Sequence, residues 1–168
     1  MRVYIPVTLA VLQQLVADGV VQPLGGTAFA VTPTLRESYA EGGDDELSEV
    51  VLGEAARASL RLLAAGADED EDSGLPIRRA VLVADAEAEL RPDLDDAVVK
   101  IVGPVAIDQI VAAYVDIADA EPAVKAAVAV IDAADLGDED AEFVVGDAQD
   151  HDLAWYATQE LPFLLELL

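Results

Sequence analysis

The single histidine of this 168-residue chain is the side chain best suited to catalysis or ligand binding. His151 lies four residues after Asp147 and five residues before Tyr156. An imidazole next to a carboxylate can act as a general base, and a phenol can complete such a site. A small hydrolase-like enzyme with His151, Asp147 and Tyr156 as catalytic residues is therefore one interpretation. A solvent-exposed histidine in a turn is the more frequent situation.

Other kinds of site lack the residues that they need. The chain has no cysteine, which excludes disulfides, thiolate metal sites and cysteine nucleophiles. The segment from Asp138 to Gln149 resembles a calcium-binding loop, but position six is Phe143 instead of Gly and position twelve is not Glu. Neither a phosphate-binding glycine motif nor Gly-x-Ser-x-Gly occurs. We predict no metal and no cofactor.

The charge balance excludes two classes of partner. Asp and Glu number 34 against 9 Lys and Arg, which gives a formal net charge of −25. This charge repels phosphate backbones and anionic lipids, so we expect neither nucleic acid nor a membrane as partner. It attracts basic proteins instead. The charge alone also suggests a nucleic-acid-mimicking inhibitor as a further alternative. Because 54% of the residues are hydrophobic, a disordered chain is not expected.

The last eight residues are apolar on most sides. Four of them form a possible binding interface, namely Leu161, Phe163, Leu164 and Leu167, because an exposed apolar patch marks an interaction site. The alternative is that this segment packs back onto a sheet. Together with the charge, it favours a non-catalytic protein that acts through protein–protein binding or self-association. The expected partner is a second copy of the chain or a basic protein.

The N-terminal segment predicts a cytoplasmic location. Arg2, Pro6 and Asp18 interrupt what would be the apolar core of a signal peptide. No stretch of the chain approaches the ~20 apolar residues that a membrane-spanning helix requires. The absence of cysteine gives no support to a secreted, disulfide-bonded fold.

Strand and helix patterns are interspersed along the chain, which predicts an α+β fold. Thr8 and Thr32 are expected to cap helices. We predict one domain over residues 1–168, with helices packed on an antiparallel or mixed sheet in a loosely ferredoxin-like arrangement and an acidic loop at about 66–76. Predicted strands are 3–7, 27–31, 77–84, 97–102 and 113–117. Predicted helices are 9–18, 33–40, a long helix that is capped by Asp44 or Asp45 and runs to residue 65, and 122–136.

Residues 142–157 allow two interpretations. Branched and aromatic residues favour a hairpin in which Glu142–Val145 pairs with Leu153–Tyr156, and we prefer this arrangement. The alternative is one helix from Asp150 through Leu161, which ends before Pro162.

Five segments carry a family resemblance: Met1–Pro6, Thr27–Glu37, Arg91–Asp95, Ala134–Phe143 and Trp155–Pro162. Through them nearly the whole chain resembles a family of short, acidic, uncharacterised actinobacterial proteins known as a domain of unknown function. The resemblance implies an actinobacterial cytoplasmic protein and assigns no activity and no site residue. The composition, rich in Ala, Val and Asp and poor in Lys, is also typical of a GC-rich genome.

Overall fold

A computed structural model describes residues 1–39, 41–66 and 74–168 of the chain. The predicted acidic loop at 66–76 lies largely outside the described residues. In chain order the elements are β1 (Arg2–Val7), α1 (Leu9–Asp18), β2 (Val20–Val21), β3 (Thr27–Phe29), α2 (Pro33–Ser38), α3 (Asp44–Ala65), β4 (Ala80–Asp85), β5 (Ala88–Leu90), β6 (Val98–Ile101), β7 (Val105–Ala106), β8 (Ile110–Val115), α4 (Glu121–Asp135), α5 (Glu139–Gln149), β9 (Ala154–Ala157) and α6 (Leu161–Glu166).

Seven of these strands form one antiparallel sheet in the order β5-β6-β3-β1-β4-β8-β9. Its longest register pairs β1 with β4, from Arg2 opposite Asp85 to Val7 opposite Ala80. Strands β2 and β7 form a separate pair. The α+β class with an antiparallel sheet is confirmed. The ferredoxin-like arrangement is not, because this sheet has seven strands and carries helices on both faces.

One face of the sheet is covered by α1 and α6. Alternate residues of β1 and β4 point to this side, where Ile5 and Leu82 contact Leu12 and Leu15 of α1 and Leu161 of α6. These five side chains are completely buried. This core explains why the apolar C-terminal segment folds as a helix against the sheet instead of fraying.

The opposite face is covered by α2 and α3. Phe29, Val81 and Val98 of the sheet pack against Leu35 of α2 and Val51 of α3. Beyond its contact with the sheet, α3 also packs against α4 and α5. That second, helical core contains Leu60, Leu63, Val124, Ile131 and Val145. Helix α3 therefore belongs to both the sheet core and the helical core, which accounts for its length.

The predicted threonine caps are confirmed. The Thr8 hydroxyl accepts a hydrogen bond from the backbone N–H of Val11, and Thr32 accepts one from Leu35. In both cases the side chain satisfies an N–H group that the first helical turn leaves without a partner. Sequence reasoning therefore located the starts of α1 and α2 correctly. It misplaced some strand ends: β4 begins at Ala80 instead of residue 77, and β8 spans Ile110–Val115 instead of 113–117.

Both interpretations of residues 142–157 are wrong in part. Glu142–Val145 belongs to helix α5, and Ala154–Ala157 is a strand, so the segment is neither a hairpin nor one helix. Asp138 caps α5 by accepting from the N–H of Ala141. Helical spacing outweighs strand propensity here, because every third or fourth residue of α5 packs on α4 while Phe143 faces solvent.

Candidate functional site

A buried ion pair joins the start of β4 to the end of β8. The Nη2 and Nε groups of Arg79 donate to the two carboxylate oxygens of Asp116 at 2.7 and 2.9 Å. Arg79 is 1% exposed and Asp116 is 0% exposed. Nη1 of Arg79 also donates to the Gln149 amide oxygen at 2.7 Å, and Nη2 donates to the His151 carbonyl at 2.9 Å. These contacts hold the end of α5 and the lead into β9 against the sheet.

Arg79 lines a cavity of about 470 Å³ between α3 and the lead into β9. Helix α3 forms one wall of this cavity with residues 49, 52, 53 and 56, which lie on the same face of the helix because they are three or four positions apart. The cavity is lined by Glu49, Leu52, Gly53, Ala56, Arg79, Gln149, His151, Asp152 and Leu153. Gln149 links its two sides, since its Nε2 donates to the Gly53 carbonyl at 3.0 Å while its oxygen accepts from Arg79. Arginine, amide and carboxylate groups thus meet in one space.

The three candidate catalytic residues do not line one cavity. His151 is half-buried and lines the cavity with Arg79. Asp147 is exposed on α5. Tyr156 pairs with Ala113 in the sheet register and packs on the face that carries α1 and α6, whereas Arg79 and His151 meet α3 on the other face. The sheet therefore separates Tyr156 from His151, and the geometry gives a carboxylate–histidine–tyrosine reaction no common site.

The four residues of the possible C-terminal interface divide into two pairs. Leu161 and Leu164 are buried in the core beneath α6, whereas Phe163 and Leu167 are 69% and 85% exposed. A groove of about 210 Å³ is lined by Tyr156, Glu160, Phe163, Leu164 and Leu167. One side of the segment thus packs back onto the sheet, and the other forms an apolar surface whose role as an interface stays a prediction.

This groove runs beside β9, the outermost strand on its side of the sheet. Trp155 of β9 is 56% exposed and lies on the opposite face from Tyr156, because successive strand residues alternate. The Ala157 N–H donates to the Glu160 carboxylate instead of to β8. Alternate residues of an antiparallel strand direct their N–H groups to the same side, so the Trp155 N–H also points away from β8. We call β9 with Trp155, Phe163 and Leu167 the C-terminal surface.

The C-terminal part of the chain carries charged side chains of one sign. Eleven Asp and Glu residues follow Lys125 in the chain, and no Lys or Arg does. Arg57 and Arg61 of α3 form ion pairs with carboxylates of α4 and α5. Hydrogen bonds from Arg61, opposed in part by burial and aided by Arg57, lower the pKa of Asp135 below its usual 3.8. These arginines are therefore committed to internal ion pairs.

Apart from His151, sequence reasoning missed the residues that line the cavity. Arg79 had the only usable signal, because a charged residue directly before a run of buried apolar residues must find a partner inside the protein. The partner Asp116 is 37 residues away and adjacent in space only through the register of β4 and β8. Glu49 and Gln149 line the same cavity only through helix packing, which a single sequence does not reveal.

Neither a membrane-spanning helix nor a metal-binding group of side chains occurs among the described residues. Over 1–39, 41–66 and 74–168, no helix is long and apolar enough to cross a membrane. Within the same ranges, no three His, Asp or Glu side chains are grouped in a way that could hold a metal ion.

The fold and its sites define a class of protein: an α+β protein with an antiparallel sheet between helical layers, an ion-paired cavity and an apolar outer strand. The chain belongs to the family of unknown function DUF6912, which it matches over residues 1–165. No curated protein and no solved structure matches it. The expected membership in a family of unknown function is confirmed.

Proposed function

We propose that this protein binds an extended, basic segment of another protein along its C-terminal surface. The observation that carries the proposal is that β9 is an outer strand without a charged residue, flanked on one side by Trp155 and on the other by Phe163 and Leu167. An outer strand with exposed backbone groups can accept a further strand from a partner. The neighbouring apolar side chains supply pockets and contact area.

The two outer strands of the sheet differ in a way that supports this choice. The strand at the other end, β5, carries Glu89 at its centre and is followed by Arg91. Charges on an outer strand oppose pairing with another chain. The segment Ala154–Ala157 has no such protection apart from its short length and the Glu160 carboxylate on the Ala157 N–H. Strand addition is therefore favoured at β9.

Charge complementarity favours a basic partner over a second copy of the chain. Asp152, Glu160 and Glu166 flank the apolar residues, and each copy carries a net charge of −25. Two copies that meet at this surface bring like charges together, which opposes association at low salt. A segment in which lysine or arginine alternates with apolar residues places its cations near these acids and its apolar side chains in the groove.

Fluorescence anisotropy with a short labelled peptide of alternating valine and lysine tests the proposal. We expect saturable binding that weakens as salt is raised from about 50 to about 500 mM. The same peptide with alternate amides N-methylated keeps its charge and loses its strand hydrogen bonds, so we expect it to bind at least about tenfold more weakly. Equal binding of the two peptides contradicts strand addition.

Matched variants locate the binding surface. Phe163→Ser removes an apolar wall of the groove, whereas Phe143→Ser removes a phenylalanine of α5 that is equally exposed and lies outside the groove. We expect only Phe163→Ser to weaken peptide binding. Light scattering of the unliganded protein should show a monomer. A dimer that Phe163→Ser dissociates would assign the surface to a second copy and contradict the proposal.

The cellular setting is part of the same proposal. We place the protein in the cytoplasm of an actinobacterium. The cysteine-free sequence supports this location, and the scarcity of lysine beside abundant Ala, Val and Asp supports the origin. Cells that produce the protein can be fractionated and each fraction probed with an antibody against it, and we expect the protein in the cytoplasmic fraction.

A further inference from the structure

We propose that the cavity beside Arg79 binds a free basic amino acid. Its α-carboxylate lies at the end formed by Arg79 and Gln149, and its side-chain ammonium lies near Glu49 and Asp152. This site is separate from the C-terminal surface, and the inference does not depend on the function proposed for that surface.

The inner end of the cavity offers hydrogen-bond donors that are already fixed in place. A guanidinium has five N–H bonds, and four of those of Arg79 are used by Asp116, Gln149 and His151. The fifth belongs to Nη1. Gln149 likewise uses one N–H of its amide on the Gly53 carbonyl and has a second. Because Arg79 is held by four hydrogen bonds, binding a carboxylate here requires little reordering of the side chain.

The charge of the inner end favours a zwitterion over a simple anion. Asp116 already neutralises the charge of Arg79. The remaining N–H groups of Arg79 and Gln149 can therefore bind a carboxylate, although this end of the cavity has no net positive charge that would attract anions. The net charge of −25 repels a free anion such as phosphate. A carboxylate that brings its own cations avoids this repulsion. An amino acid meets both conditions.

The mouth of the cavity supplies the acceptors for the side-chain cation. Glu49 and Asp152 are exposed carboxylates, and among the described residues that line this cavity Arg79 is the only Lys or Arg. Glu49 precedes Gly53 by four residues, which places it about 6 Å along the helix axis from the level of Gln149. The α-ammonium of an amino acid lies next to its α-carboxylate, so a second ammonium at the end of the side chain is the group that can reach the carboxylates at the mouth, while the donor cluster binds the α-carboxylate. This pattern is that of lysine or a close relative.

The walls between these ends are apolar and leave space. Leu52, Ala56 and Leu153 line the cavity and can contact a methylene chain. A Cβ built at Gly53 meets no atom within 4 Å. Glycine lowers helix stability relative to Ala, so Gly53 costs the helix stability at this position. Its missing side chain keeps the cavity open. The cavity of about 470 Å³ lies in the size range of small-molecule sites.

The ring protons of His151 report on occupancy, because this is the only histidine of the chain and it lines the cavity. One-dimensional NMR at fixed pH is used to titrate L-lysine, L-lysinamide and 1,5-diaminopentane into the protein. We expect a saturable shift with L-lysine and at least about tenfold weaker binding of the two compounds that lack the carboxylate. Equal binding of the diamine, or no saturable shift up to about 20 mM lysine, overturns the proposal.

Two variants place the response in the cavity. Gly53→Leu fills the space, and Gly146→Leu is its control, because a Cβ at this second mid-helix glycine also meets no atom within 4 Å and Gly146 does not line the cavity. We expect Gly53→Leu to abolish the lysine response and Gly146→Leu to retain it. Glu49→Gln leaves the cavity open and should weaken lysine binding about fivefold or more. Unchanged binding by Glu49→Gln and Gly53→Leu contradicts the site.

Discussion

The backbone N–H of Arg79 donates to the carboxylate of Asp116 at 2.7 Å, in addition to the two hydrogen bonds from its side chain. One carboxylate therefore binds both the main chain and the guanidinium of the same residue. Asp116 directly follows β8, and Arg79 directly precedes β4. The pair fixes the ends of two neighbouring strands and forms the inner end of the cavity.

Removing one partner of this pair should be far more harmful than replacing both. Asp116→Ala leaves the Arg79 cation buried without its counter-charge, and we expect a loss of about 3–5 kcal/mol in the free energy of unfolding. The double variant Arg79→Met, Asp116→Leu removes both charges and should lose less than Asp116→Ala alone. Urea unfolding measured by circular dichroism checks the order. A double variant that is less stable than the single variant contradicts this assignment.

Ser59 should contribute through its hydroxyl and not through its size. Its Oγ donates to the Val7 carbonyl at 2.8 Å and accepts from the Ala80 N–H at 3.1 Å, so it connects α3 to β1 and β4 in the buried core. We expect Ser59→Ala to lower the free energy of unfolding by about 2 kcal/mol. Ser48→Ala on the same helix is the control and should change it by less than about 0.5 kcal/mol. Equal effects would show that the connection is unimportant.

Two glycine substitutions should have opposite signs. Gly53 has helical surroundings and open space, so Gly53→Ala should raise the free energy of unfolding by about 0.5–1 kcal/mol. Gly137 follows α4 with φ of +97°, a conformation that side chains rarely adopt. Gly137→Ala should therefore lower the free energy of unfolding by about 1 kcal/mol. Thermal unfolding of both variants measures the signs. The same sign for both would contradict the local geometry.

The ion pairs between α3 and α4 predict a pH-dependent difference. The pKa of Asp135 is lowered in the folded state, chiefly by hydrogen bonds from Arg61. The folded protein therefore favours the ionised carboxylate, and its contribution is complete above about pH 5 and lost as pH falls through the lowered pKa. Asp135→Asn should lower the free energy of unfolding, measured by urea unfolding, by about 0.5–1 kcal/mol at pH 7 and by progressively less as the pH falls below 3.8.

The control for this measurement is Asp132→Asn, an exposed carboxylate of the same helix. Comparing each variant with the parent protein at the same pH cancels the relief of general charge repulsion that acid brings to a chain of net charge −25. If the difference in free energy of unfolding between Asp135→Asn and the parent protein grew as the pH falls, the predicted pH dependence would be contradicted.

Local signals in the sequence predict the elements of this fold better than their arrangement. Thr8 and Thr32 predict helix starts from local sequence alone, because a cap joins a side chain to the N–H group three residues later. The alternation in Arg2–Val7 likewise predicts a strand from neighbours alone. The order of the seven strands, in contrast, depends on pairings such as β3 with β6 that join distant segments. The single sequence contains no local trace of them.

The functional residues divide in the same way. The apolar character of Phe163 and Leu167 is visible in the sequence, but their exposure follows from the burial of Leu161 and Leu164 on the other side of α6. The sequence singles out His151 as the one histidine, but its neighbours in the structure are Arg79 and Gln149 instead of Tyr156. The strand register decides which side of the sheet each residue faces, and one residue of shift reverses it.

The most direct test of the proposed function is to block the outer edge of β9 without disturbing its inner edge. Trp155→Pro removes the outward N–H, and Trp155→Val removes the same indole while keeping that N–H. Binding of the alternating valine–lysine peptide is measured for both by anisotropy. We predict that Trp155→Val binds within about threefold of the parent protein and that Trp155→Pro binds at least about tenfold more weakly than Trp155→Val. Equal affinity of two folded variants would contradict strand addition at β9.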